Sequence, residues 1–156
     1  MSNTPDFDLE TAHRFFSAEC FNRAWDLIEK PNRTREEDEE MVRLSLASTW
    51  HWTQRDDCAP TNLSVGYWQT SRIFSILGRA NAARRYGQLS LDLCQGGDTP
   101  PFYSGYAYEA LARAESVAGN IEKTEEYLNR AREMADAVDD PDSRKMLLDD
   151  LDTIKS

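Results

Sequence analysis

Two stretches decide the fold: Tyr67-Trp68-Gln69-Thr70-Ser71-Arg72-Ile73-Phe74-Ser75-Ile76-Leu77-Gly78 and Tyr108-Glu109-Ala110-Leu111-Ala112-Arg113-Ala114-Glu115-Ser116-Val117-Ala118-Gly119. Each opens on a tyrosine, ends on a glycine and lies 41 residues from the other. Neither alternates apolar and polar residues as a half-buried strand would; both are long and rich in helix formers, so each reads as a helix ended by glycine. Beyond each glycine a second helical pattern follows almost at once, from Ala80 and from Ile121. Such a short connection forces an antiparallel hairpin. Small residues recur at matching places in the second helices, Ala83 with Thr124 and Ser90 with Ala131, where two helices can approach closely.

The same logic extends outward. Pro5, Pro31, Pro60, the Gly96-Gly97 and Pro100-Pro101 cluster, and Pro141 divide the chain into about seven helix-length segments. The first helix is expected from about Asp8 to Glu29. The second opens on Thr34 and Glu37, a capping box, with an acidic run at 36–40 suited to a helix N-terminus. A third, about Asn62 to Leu77, reads as apolar nearly all round and hence as the most buried helix. The hairpins fall at about 62–95 and 102–138, and a helix at about 141–154, capped by Asp140 with Pro141 in its first turn, closes the stack. The expectation is an all-α fold, one domain over 1–156, built of stacked antiparallel hairpins.

The chain has 156 residues, with 18 Lys and Arg against 28 Asp and Glu, a net charge of -10 that disfavours nucleic acid and anionic membrane surfaces as partners. No window has the length of a membrane span, and the first ten residues lack the basic and apolar regions of a signal peptide, so a cytoplasmic protein is expected. Cys20, Cys58 and Cys94 have neither disulfide nor zinc spacing, and no phosphate loop, nucleophile elbow or zinc-protease motif occurs. No metal and no cofactor is expected.

The hairpin layout from Val65 to Ala135 resembles the tetratricopeptide repeat, with an aromatic early in the first helix and small residues through the second. The repeat here exceeds the family's length of about 34 residues by about seven, the excess lying in Gln95 to Pro101, and Thr70-Ser71 and Leu111-Ala112 stand where the family has Leu-Gly. The segments Trp50-His51-Trp52, Trp68 to Arg72, Leu77-Gly78-Arg79 and Tyr106 to Ala114 also look like a group of uncharacterised bacterial proteins. That second resemblance carries no established activity with it.

In such a stack the first helices of successive hairpins line one concave face. The resemblance therefore implies that Trp68, Arg72, Tyr106, Glu109 and Arg113 share that face, with His51 reaching it from the preceding helix. Aligned arginines with aromatic neighbours suit recognition of an acidic peptide segment or chain terminus. Bland readings compete: Glu109 and Arg113 as a helix-surface ion pair, Trp68 and Tyr106 as core, His51 as a hydrogen-bonded core histidine, since His13 lies on another helix. The leading expectation is a non-catalytic scaffold that binds a peptide or partner protein. The alternative is a small-ligand sensor or enzyme with a pocket around His51, Trp68, Arg72 and Glu109. The aromatic surface of Phe15, Phe16, Phe21 and Trp25 further suggests a homodimer.

Overall fold

A computed structural model describes residues 3–156 as seven α-helices, with no strand among the described residues. They are α1 (Leu9–Glu29), α2 (Arg35–Thr53), α3 (Pro60–Ile76), α4 (Ala80–Asp92), α5 (Pro101–Ala118), α6 (Ile121–Asp136) and α7 (Pro141–Leu151). Helices pack as consecutive pairs, α1 with α2, α3 with α4 and α5 with α6; α3 also packs on α2 and α5, and α7 lies against α5 and α6. The all-α array of hairpins read from the glycine turns is the fold observed.

Local chemistry sets the boundaries. The Asp8 side chain caps α1 by accepting from the Glu10 amide at 3.1 Å. At α2 both halves of the capping box form, Glu37 N–H to Thr34 Oγ1 at 3.2 Å and Thr34 N–H to Glu37 Oε2 at 2.9 Å. Caps of this kind contribute about 1 kcal/mol each. Gly78 and Gly119, with φ of 72° and 75°, end α3 and α5 in the left-handed region. The residues after them donate back over the turn in the same way, Arg79 N–H to the Phe74 carbonyl at 2.8 Å and Asn120 N–H to the Glu115 carbonyl at 3.0 Å. The 41-residue duplication is thus reproduced bond for bond at its turns.

One expectation fails in an instructive way. Helix α3 is central, but the face it buries is made of small polar groups, with Ser64, Gly66, Gln69, Thr70, Ser71 and Ser75 buried beside Ile73. Phe74 is half-buried and Ile76 is 38% exposed. Ser45 and Thr70 hydroxyls meet at 2.8 Å, Ser64 and Ser90 at 3.0 Å, and Ser71 donates to the Ala83 carbonyl at 2.8 Å. Small hydroxyl side chains let α3 lie close to α2 and α4 while their polar atoms find partners. The more deeply buried helix is α5, where Tyr106, Ala107, Glu109, Ala110, Leu111, Ala112 and Ala114 all lie inside.

Candidate functional site

Helices α1, α3, α5 and α7 bring one group of side chains together. Trp68 and Glu109 occupy equivalent places in the two duplicated helices, and the Trp68 indole N–H donates to Glu109 Oε2 at 2.7 Å. Glu109 is fully buried. Its other oxygen accepts from Arg113 Nε at 2.7 Å, with a second guanidinium nitrogen of Arg113 at 2.5 Å, and from Arg72 at a longer 3.4 Å. Two guanidiniums around one carboxylate leave one positive charge in excess. Arg113 is further tied to α7 and its extension, donating to the Asp150 carbonyl at 3.2 Å and to Thr153 Oγ1 at 2.9 Å.

Trp25 of α1 stacks on Trp68 with centroids 5.5 Å apart, and Tyr106 meets Trp68 edge-on at 5.2 Å. The Tyr106 hydroxyl donates to Asp150 Oδ2 at 2.7 Å. Burial first, and then that carboxylate, raise the tyrosine's pKa well above its ordinary value and keep it a phenol that donates.

Three cavities border this group, two of about 350 Å³ each and one of about 370 Å³ lined by Phe21, Asn22, Trp25, Asp26 and Trp68. The basic one is lined by Arg72, Arg113 and Lys155, by the hydroxyls of Ser75, Ser116 and Thr153, and by Ile28, Ile76, Val117 and Ile154, with no carboxylate in its wall. Ser75 Oγ is buried there without a hydrogen-bond partner among the described residues. The aromatic one is lined by Trp25, Val65, Trp68, Phe102, Tyr103, Tyr106, Met146 and Asp150.

Five of the six residues singled out from the sequence, Trp68, Arg72, Tyr106, Glu109 and Arg113, therefore meet. His51 does not join them. It stands opposite His13, Nδ1 to Nδ1 at 2.9 Å, among Phe16 and Trp50. His13 and Trp25 are twelve residues apart on α1, which separates the histidine pair from the Trp68 group by about 18 Å along that helix. Sequence alone places His13 on a different helix from His51; the pairing of α1 with α2 is what unites the two rings. Trp25, Phe102, Tyr103, Asp150, Ser75 and Lys155 were missed as site residues. For Trp25 a signal existed, since it precedes Trp68 by 43 residues, close to the repeat spacing.

The histidine pair has a pH consequence. One Nδ1 carries the shared proton and donates to the other, so a second proton removes the acceptor. Burial, reinforced by the charge of His13, lowers the pKa of His51 below 6.5. The unfolded chain then binds the proton more readily, so this contribution to stability is complete above about pH 6.5 and is lost as pH falls through the lowered value. The expected result is that the urea midpoint of the native chain drops more between about pH 7.5 and about pH 5.5 than that of His51→Gln. Parallel profiles for the two proteins would contradict the assignment.

Compared with protein-family models, with curated proteins and with solved structures, the chain gives no match. Among the described residues no helix is long and apolar enough to cross a membrane. What the fold and the site define is an array of three helical hairpins and a closing helix, with a buried carboxylate hub between a basic and an aromatic cavity.

Proposed function

We propose that the chain is a tetratricopeptide-like, non-catalytic scaffold that binds an acidic peptide segment or the acidic end of a partner protein along the face made by α1, α3, α5 and α7. The observation that carries this reading is the basic cavity: three cationic side chains and three hydroxyls line it without a carboxylate, in a chain of net charge -10. Arg72 uses one nitrogen on Glu109 at 3.4 Å, which leaves the rest of its fork for an incoming carboxylate. The test is a titration of fluorescently labelled acidic hexapeptides, with free and with amidated C-termini, read by anisotropy. Removing one charged hydrogen bond weakens binding by about tenfold or more, so Arg72→Ala is expected to lose that much. Lys155→Ala, at an exposed position outside the hub, is expected to lose less but measurably. Unchanged affinity in both variants removes the proposal.

A second reading, a small-ligand sensor, is favoured by the aromatic cavity, whose volume of about 350 Å³ and five aromatic rings suit a compact ligand. Self-association remains part of the proposal, supported by the exposed Phe15, Phe16 and Trp50 around the histidine pair.

A further inference from the structure

The aromatic cavity has a definite chemistry. Its rings stand at steep angles to one another: Trp68 to Tyr106 at 73°, Phe102 to Tyr106 at 69° and Phe102 to Tyr103 at 86°. Trp25 lies nearly parallel to Trp68, at 29°. All five rings border the one cavity, and aromatic faces carry the negative end of the ring quadrupole. The one charged side chain in the lining is Asp150. Its Oδ2 is held by Tyr106 at 2.7 Å, while Oδ1 accepts no side-chain hydrogen bond among the described residues. Two cations stand near the cavity, Arg72, 6.0 Å from the Trp25 ring centre, and Arg113, which donates to the Asp150 carbonyl at 3.2 Å, but both guanidiniums line the basic cavity and are drawn to Glu109.

We infer that this cavity binds a small molecule bearing an alkylated ammonium group, with the Trp25, Trp68, Phe102 and Tyr106 rings as cage and the Asp150 carboxylate as counter-charge. The inference rests on the small-ligand reading and names its ligand class. A cation gains over a neutral apolar guest here because it is attracted both to the Asp150 carboxylate and to the ring faces. Met146, 56% exposed, adds a flexible side chain to the cavity wall.

The test uses the full chain labelled with nitrogen-15 and follows the four tryptophan indole N–H signals during titration with choline. The neutral isostere 3,3-dimethylbutan-1-ol and a trimethyllysine peptide are titrated in parallel. Choline is expected to shift the Trp25 and Trp68 signals, to leave Trp50 unmoved and to bind at least tenfold more tightly than the neutral isostere. Asp150→Asn, which keeps an acceptor for Tyr106, is expected to weaken choline at least fivefold and leave the isostere unchanged. Val65→Tyr fills the cavity from α3 with the residue that its repeat equivalent, Tyr106, already carries, and is expected to abolish choline binding. Equal binding of choline and the isostere overturns the inference and leaves the small-ligand reading standing. Shifts with the trimethyllysine peptide alone overturn the small-molecule commitment. No shift with any probe, or choline binding that survives Val65→Tyr, overturns both.

Discussion

Glu109→Ala is expected to lower the unfolding free energy by about 3–5 kcal/mol, the cost of leaving buried partners of an ion pair uncompensated. The carboxylate is fully buried, and the Arg72 and Arg113 side chains around it are only 18% and 15% exposed. Its loss takes the acceptor from the Trp68 indole N–H and from Arg72, and leaves Arg113 only its bonds to the Asp150 carbonyl and Thr153. Arg72→Ala is expected to cost much less, about 1 kcal/mol, because its contact to Glu109 is long at 3.4 Å and Arg113 still neutralises the carboxylate. Urea denaturation with one common slope provides the comparison. A Glu109→Ala loss no greater than that of Arg72→Ala would show that Glu109 is solvated and that the hub does not hold the three helices together.

The next largest effect is expected where the closing helix meets α5. Leu147 is fully buried, and Leu147→Ala should cost about 2–5 kcal/mol through lost burial and the cavity left behind. Gly105 faces it so closely that an added Cβ would come within 2.5 Å of Leu147 Cδ2 and 3.4 Å of Met134 Cβ. Gly105→Ala should therefore cost about 1–3 kcal/mol from overpacking, offset in part by a gain of about 1 kcal/mol in helix propensity. The two changes compensate, since the new methyl enters the space vacated by the leucine. The double variant is expected to fall short of the sum of the single losses by about 1 kcal/mol or more. Strict additivity would contradict the contact between α5 and α7, and with it the placement of Asp150 beside Tyr106.

Much of this architecture was legible from local chemistry. Gly78 and Gly119 announce left-handed helix ends, Thr34 with Glu37 announces a capping box, and the 41-residue spacing places Trp68 beside Glu109 and Arg72 beside Arg113 on neighbouring helices. What periodicity does not convey is depth. Glu109 and Arg113 at four-residue spacing describe an exposed ion pair as well as a buried one, and only the packing of α3 and α7 against α5 decides between them. Depth is hidden in α3 too, which reads as apolar nearly all round although its buried face carries Ser64, Thr70 and Ser71, hydroxyl residues that only the neighbouring helices sharing their hydrogen bonds can hold inside. Contacts between distant segments, Tyr106 with Asp150 and His13 with His51, depend on helix pairing that has no local signal.

The face bearing Arg72 and Arg113 is proposed as a binding surface for an acidic chain segment. Its most direct test is backbone and side-chain chemical-shift mapping of the labelled protein with a saturating acidic hexapeptide. The expected result is a contiguous set of shifts at Arg72, Ser75, Arg113, Ser116, Thr153 and Lys155, the polar lining of the basic cavity. Shifts confined to α4 and α6, or none at saturating peptide, would contradict it.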